Sequence, residues 1–222
     1  MKKWIKAARL RTLPLSVSGI ILGSACAYQV VPSHAKFWLI FDLCLLTTLF
    51  FQVLSNYAND YGDAVKGTDN DNRVGPQRAI QSGEITKAAM KNAIIITSVL
   101  GMISSVAVVY FSFGKDNFVQ AVIYLVLAVA CIGAAIKYTV GSSAYGYRGL
   151  GDVFVFVFFG LVSTLGSYYL YTHSLDLKVL FPAFAVGFLS TAVLNMNNMR
   201  DIENDAAMNK NTLVVKMGYQ KA

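Results

Sequence analysis

Acidic residues are concentrated in two short stretches of this sequence. Seven of the twelve Asp and Glu residues fall there: Asp60, Asp63, Asp69, Asp71, Asp201, Glu203 and Asp205. In a helix, Asn56, Asp60 and Asp63 would share one face, because they are spaced by four and three residues. Asp201 and Asp205 would share a face for the same reason. Carboxylates so close together repel each other, so the spacing indicates a metal ion or a cationic partner rather than solvated loop residues.

Carboxylate oxygens of this kind suit Mg²⁺, which binds through a few carboxylates together with substrate phosphates. Two facing clusters could hold a diphosphate between them, with Asp60 and Asp63 on one side and Asp201 and Asp205 on the other. Basic residues near the clusters could neutralise the phosphate oxygens: Lys66, Arg73, Arg78, Arg200 and Lys210. The clusters therefore predict a magnesium-dependent site for a diphosphate substrate.

The elements that must position these residues are membrane-spanning helices. Hydrophobic residues make up 55% and charged residues 14% of the chain, and the mean hydropathy is +0.51, whereas soluble domains carry about 25% charged residues. Apolar runs of about 20 residues match the hydrocarbon core of a bilayer. Six such runs occur: Thr12–Val31, Phe37–Leu54, Ala89–Ser112, Phe118–Tyr138, Asp152–Tyr171 and Val179–Met196. The sequence predicts an all-α membrane protein, a polytopic transmembrane helix bundle with six spans.

The number of basic residues alternates from one connection to the next. With these spans, sixteen of the nineteen Lys and Arg residues lie on one side of the membrane, and the positive-inside rule places that side in the cytoplasm. Both termini and both acidic clusters then face the cytoplasm. Because the net charge of +7 is distributed in this way, it indicates contact with a lipid bilayer and not with nucleic acid.

Five ordered motifs include or accompany the acidic clusters. They are Asn59–Asp69 (NDYGDAVKGTD), Gly75–Ala79 (GPQRA), Tyr145–Asp152 (YGYRGLGD), Asn197–Asp201 (NNMRD) and Lys210–Leu213 (KNTL). Together they resemble the UbiA superfamily of intramembrane prenyltransferases, and within it the 1,4-dihydroxy-2-naphthoate polyprenyltransferases. The similarity extends from residue 8 to residue 218.

The resemblance implies an enzyme that joins a polyprenyl diphosphate to 1,4-dihydroxy-2-naphthoate. The reaction would release CO₂ and diphosphate and form demethylmenaquinone, a step of menaquinone biosynthesis. The resemblance also implies Mg²⁺ as cofactor, held by four catalytic aspartates: Asp60, Asp63, Asp201 and Asp205. Eight residues would bind the substrates: Asn56, Asn59, Lys66, Arg78, Tyr145, Arg148, Asn197 and Lys210.

These eight residues have different expected roles. Arg78 and Lys210 would contact the diphosphate. Tyr145 and Arg148, together with Tyr147, would contact the aromatic substrate or cap the site. Their alternative role is that of interfacial residues, since aromatic and basic side chains are common at membrane surfaces.

The resemblance is not complete, and it leaves alternatives open. The spacing before Asp69 is wider than in the superfamily, whose members have nine spans where this chain has six. Residues 1–222 are therefore expected to form one transmembrane prenyltransferase domain that lacks its last three spans, in a bacterial inner membrane. One alternative is prenyl transfer to another aromatic acceptor, 4-hydroxybenzoate or homogentisate. The other is cation transport, which is disfavoured because transporters bind ions near the bilayer midplane and not at helix ends.

Overall fold

The computed structural model describes all 222 residues, and the chain folds into ten α helices without a β strand. The helices are α1 Lys2–Ala8, α2 Leu13–Val30, α3 Phe37–Lys66, α4 Lys87–Phe113, α5 Phe118–Lys137, α6 Gly151–Val155, α7 Ser163–Thr172, α8 Leu180–Arg200, α9 Ile202–Ala207 and α10 Leu213–Met217. A π-helical segment, Phe156–Val162, joins α6 to α7 within one span. Six segments are long and apolar enough to cross a membrane, so the predicted six-span helical bundle is confirmed.

Several helices begin or end at residues whose side chain or backbone conformation favours a helix end. Pro14 lies in the first turn of α2, where a backbone N–H would have no partner in the helix. The Thr86 hydroxyl accepts a hydrogen bond from the Ala89 N–H and so caps α4. Gly67 ends α3 with a φ of 76°, a left-handed conformation that favours glycine.

Helix α3 is longer than the second span that the sequence analysis predicted, which ended at Leu54. No proline interrupts the polar sequence that follows, and the helix stops only at the left-handed Gly67. Asn56, Asp60 and Asp63 are therefore all helical, and all three are buried. The first acidic cluster faces the inside of the bundle and not an open loop.

The π-helical segment packs closely against α8. A Cβ atom added to Gly160 would lie 2.6 Å from the Cα atom of Gly187 on α8, so only small residues permit this approach. Helices α2 and α7 meet in a similar way, because a Cβ atom on Gly23 would clash with the carbonyl oxygen of Thr164. These contacts hold the fifth and sixth spans against each other and against the first span.

Two apolar cores stabilise the bundle at its two ends. One surrounds Ile40, Phe113 and Tyr171, where α3 begins and α4 and α7 end. The other surrounds Leu54 and Met90, where α4 begins and α3 approaches its end. The second core supports the end of the bundle at which α3 and α8 terminate, which is called the aspartate end below.

The outer surface of the bundle is apolar. Large exposed aliphatic and aromatic side chains cover α4, α5 and α8, among them Ile95, Ile103, Val126, Phe188 and Leu189. Helix α5 packs mainly on α3 and α4 and leaves the rest of its surface open. Such a surface suits lipid, so the chain is a multi-pass membrane protein.

Candidate active site

The last two turns of α3 carry Asp60 and Asp63. Asp60 Oδ2 accepts a hydrogen bond from the Ala79 N–H at 3.2 Å, whereas its Oδ1 atom is buried and accepts none. Asp63 Oδ1 accepts a hydrogen bond from the Tyr147 hydroxyl at 2.8 Å. Asp63 Oδ2 lies 3.9 Å from Lys210 Nζ. Both carboxylates thus lie beneath connections that fold back over the end of α3.

The second acidic cluster forms where α8 gives way to α9. The helix breaks at Asp201, whose carboxylate accepts hydrogen bonds from the Arg200 side chain at 2.8 Å and from the Gly75 N–H at 3.1 Å. The Asp205 N–H donates to the Asp201 carbonyl at 2.8 Å, so Asp205 lies one turn further on. Asp205 Oδ1 lies 3.5 Å from Lys210 Nζ. The two aspartates therefore have different partners, although they are only four residues apart.

Two cations link the first acidic cluster to the second. Arg73 lies between them, with Nε 3.2 Å from Asp69 Oδ1 and Nη2 3.5 Å from Asp201 Oδ2. Lys210 makes the second link, because its Nζ atom lies between the carboxylates of Asp63 and Asp205. Arg78 Nε lies 3.9 Å from Asp69 Oδ1. The fold thus brings together two clusters that are about 140 residues apart in sequence and places cations between them.

Burial sets the protonation behaviour of the carboxylates outside the spans. Burial raises the pKa of Asp69 to about 6, and nearby carboxylates add to the rise while two arginines oppose it. Burial also raises the pKa of Asp205 to about 6, although Lys210 opposes the rise. Burial raises the pKa of Asp201 as well, but the hydrogen bond from Arg200 and nearby arginine charges outweigh burial and leave that pKa below its ordinary value. Asp69 and Asp205 therefore gain more from an added cation than Asp201 does.

The carboxylates fit Mg²⁺ by their chemistry. Asp60 Oδ1 and Asp69 Oδ2 are buried and accept no hydrogen bond, so their lone pairs are free for a hard cation. No three His, Cys, Asp or Glu side chains are close enough to enclose a metal ion. Mg²⁺ does not require such an enclosure, because it keeps several waters and binds through one or two carboxylates and substrate phosphates.

A cavity of about 350 Å³ opens beside the first acidic cluster. It lies among α2, α3, α4, α5, the fifth span and α8, and most of its lining residues are hydrophobic. Asn59 and Asn197 line it near the aspartate end, and Leu127 and Phe158 belong to its apolar walls. It reaches Leu170, close to the opposite end of α7. Its shape suits a molecule with an apolar body and a polar end next to the aspartates.

The sequence model of the UbiA prenyltransferase family matches residues 16–222. The chain belongs to the UbiA prenyltransferase family. It is 45% identical over 221 residues to the 1,4-dihydroxy-2-naphthoate octaprenyltransferase of Haemophilus influenzae, covering 100% of this chain and 71% of that protein. The protein of the same name in Escherichia coli is 48% identical over 219 residues, covering 99% and 70%. That of Mycobacterium tuberculosis is 37% identical over 216 residues, covering 97% and 70%. No solved structure matches the chain.

Half of the substrate-binding residues predicted for this UbiA-family chain line the cavity: Asn56, Asn59, Tyr145 and Asn197. The Tyr145 ring stacks on Phe154, with ring centroids 3.9 Å apart, and its hydroxyl donates to the Ala134 carbonyl at 2.9 Å. The Asn56 amide donates to the Ala8 carbonyl at 2.8 Å. Tyr145 therefore presents a fixed aromatic wall, and Asn56 holds the segment between α1 and α2.

The remaining predicted residues are divided between the acidic clusters and the surface. Arg78 and Lys210 lie at the carboxylates, as described above. Lys66 Nζ lies 3.6 Å from the centroid of the Tyr147 ring, whose hydroxyl binds Asp63. Arg148 is exposed and its side chain makes no hydrogen bond or ion pair, so the structure does not bring this side chain into contact with the clusters.

Sequence reasoning missed Arg9 as a site residue. By sequence, Arg9 is one of five basic residues that precede the first predicted span. In the structure it lines the cavity of this UbiA-family chain. The sequence Arg9-Leu-Arg11 offers no spacing rule that would distinguish these two arginines. The difference between Arg9 and Arg11 arises only when α3 packs against the segment that carries Arg9 and places this residue in the cavity wall.

Proposed function

We propose that the chain transfers a polyprenyl group from polyprenyl diphosphate to 1,4-dihydroxy-2-naphthoate. The C–O bond to the diphosphate breaks, a bond to an aromatic carbon forms, and the ring loses its carboxyl group as CO₂. The product is demethylmenaquinone, a precursor of menaquinone. The similarity to bacterial 1,4-dihydroxy-2-naphthoate octaprenyltransferases supports this choice of acceptor over 4-hydroxybenzoate, homogentisate and a transported cation.

One observation carries the proposal. Asp63 and Asp205 meet on Lys210, and Asp69 and Asp201 meet on Arg73, beside an apolar cavity. Charged groups and an apolar cavity side by side suit a substrate with a diphosphate head and a hydrocarbon chain. The site lies at helix ends, as a donor anchored in a membrane requires, since its head reaches the surface while its chain stays among the helices.

The residues of the site have distinct expected roles. Asp60, Asp63, Asp201 and Asp205 would hold Mg²⁺, which would neutralise the diphosphate and stabilise it as a leaving group. Lys210, together with Arg73 and Arg78, would donate hydrogen bonds to phosphate oxygens. The apolar cavity would exclude water from the allylic cation, which water would otherwise convert to an alcohol.

We further propose that the aspartate end faces the cytoplasm of a bacterial inner membrane. The excess of basic residues on that side supports this orientation. The position of the basic groups at the aspartate end also fits a site that receives charged, water-soluble acceptors from the cytoplasm.

The direct test is transfer of radiolabelled prenyl diphosphate to dihydroxynaphthoate in membranes that contain this chain. Membranes that contain the Escherichia coli relative serve as the positive control, and EDTA tests the need for Mg²⁺. We expect EDTA-sensitive product and release of diphosphate. Product only with 4-hydroxybenzoate or homogentisate would contradict the proposed acceptor, and cation uptake without product would favour transport.

The same assay tests the aspartates. Asp60→Asn and Asp201→Asn each remove one carboxylate charge at nearly constant volume, and we expect each to lower turnover by about 100-fold or more. Asp71→Asn is the matched control, because Asp71 is exposed and makes no ion pair. Full activity in both site variants would contradict the assignment of metal and diphosphate to these clusters.

A further inference from the structure

Arg9 is the only charged residue that lines the apolar cavity. Its Nη2 atom is buried and makes no hydrogen bond. No carboxylate lies within ion-pair distance of its side chain, whereas Lys210 and Arg73 each contact two. The carboxylates of Asp60, Asp63 and Asp69 attract Arg9 from a longer distance and Arg78 repels it, but none of them bonds the buried Nη2 atom, which is unfavourable. The Arg9 side chain is therefore available to an anion that enters the cavity.

The surrounding structure holds Arg9 in this position. Its φ of 52° is left-handed, a conformation that is unfavourable for a residue other than glycine. The Thr12 hydroxyl donates to the Arg9 carbonyl at 2.9 Å. Gln52 and Asn56 of α3 donate to the same hydroxyl at 3.0 and 3.1 Å, and Asn56 also binds the Ala8 carbonyl. Helix α3 thus fixes the turn in an unfavourable conformation, as is common at ligand sites.

Two anions could pair with Arg9 if the proposed function is correct. One is the diphosphate, but Lys210, Arg73 and Arg78 already supply cations at the acidic clusters. The other is the carboxylate of the aromatic acceptor. The acceptor has an apolar bicyclic ring that suits the cavity and one charged group that needs a cation there. The planar fork of an arginine matches a carboxylate through two parallel hydrogen bonds.

We infer that Arg9 binds the carboxylate of the aromatic acceptor. This inference rests on the proposed function and adds the acceptor subsite to it. Arg9 orients the ring by its carboxylate, with the Thr12, Gln52 and Asn56 network fixing the turn. When the carboxyl group leaves as CO₂, Arg9 loses its partner, so the product binds more weakly than the substrate.

The test measures binding without a prenyl donor. The full chain in lipid nanodiscs is titrated with 1-hydroxy-2-naphthoate and with 1-naphthol, which lacks the carboxylate, and empty nanodiscs correct for partition into lipid. We expect the wild-type chain to bind the naphthoate roughly 10- to 100-fold more tightly than the naphthol, as for a charge-assisted hydrogen bond. In Arg9→Gln this preference should disappear. Arg11→Gln is the matched control, because Arg11 is exposed and does not line the cavity, and it should keep the preference.

Arg9→Lys keeps the charge but loses the fork, so an intermediate preference is expected. Arg9→Lys also provides a test if Arg9→Gln does not insert into the membrane. An Arg9→Lys chain that keeps the full wild-type preference for the naphthoate would contradict binding of the carboxylate by the two parallel hydrogen bonds of the guanidinium. An unchanged preference in Arg9→Gln would overturn the inference. So would steady-state kinetics in which Arg9→Gln raises the KM for prenyl diphosphate and leaves the KM for dihydroxynaphthoate unchanged.

The proposed function is judged separately by wild-type turnover. If the wild-type chain forms product but Arg9→Gln keeps the preference for the naphthoate, the acceptor subsite alone would be overturned. A wild-type chain that neither prefers the naphthoate nor forms product would overturn both.

Discussion

Replacement of Lys210 by methionine removes the cation shared by Asp63 and Asp205. Lys210 Nζ lies 3.9 and 3.5 Å from these carboxylates, and its side chain is 13% exposed. Each pair has a Coulomb attraction of about 4 kcal/mol at the effective dielectric constant of a partly buried site. Desolvation of the ammonium offsets much of this attraction, and loss of one partner of a buried pair typically costs about 3 kcal/mol.

The assay is thermal unfolding in detergent with EDTA, followed by intrinsic fluorescence. At about 2–4 °C per kcal/mol for a chain of this size, Lys210→Met should lower the Tm by roughly 6–12 °C. Added Mg²⁺ should raise the Tm of Lys210→Met more than that of the wild type, because a divalent cation can replace the lost ammonium between the carboxylates.

Lys66→Met is the matched control. Its ammonium lies over the Tyr147 ring at 3.6 Å and makes no ion pair with a carboxylate. A cation–π contact of this kind contributes about 1 kcal/mol, so the Tm should fall by no more than about 4 °C. If Lys210→Met were as stable as Lys66→Met, the two carboxylates would not depend on Lys210 and the reasoning would be refuted.

Three further predictions concern the site and its supports. Tyr147→Phe keeps the ring but removes the donor to Asp63, so kcat/KM for prenyl diphosphate should fall roughly 10-fold or more in steady-state assays; unchanged kinetics would show that the hydroxyl does not position Asp63. Gly160→Val places methyl groups against Gly187, so the fraction of monodisperse protein in size-exclusion chromatography should fall sharply; a normal elution profile would contradict the tight packing. Phe158→Trp narrows the cavity, so the KM for a long-chain donor should rise more than the KM for geranyl diphosphate; equal changes would argue against this wall as part of the chain site.

Much of the fold could be predicted because, in a bilayer, local apolar composition determines which segments form spanning helices. A run of about 20 apolar residues has few choices other than a spanning helix. The predicted spans differ from the observed helices mainly at the helix ends, where apolar composition no longer indicates whether the helix continues. Helix α3 continues past Leu54 through polar residues, because its end is determined by backbone conformation at Gly67 and not by hydropathy.

The site was only partly predictable. The aspartates could be selected by their spacing, since like charges that share a helix face call for a cation. Asn56 lines the cavity, where substrate binding by it stays a prediction, and its amide also donates to the Ala8 carbonyl and the Thr12 hydroxyl. Nothing in the local sequence predicts these two hydrogen bonds, because the turn that accepts them lies more than 40 residues away in the chain.

The sequence by itself determined the class of this protein: six spanning helices, two acidic clusters at one end, and the chemistry that such clusters support. These features depend on composition and spacing within single helices, which are local properties. Only the tertiary structure decided which groups meet. Lys210 joins Asp63 to Asp205, and Arg9 enters the cavity while Arg11 stays exposed. Such pairings depend on how distant segments pack, and packing of distant segments is not encoded in the spacing of any one of them.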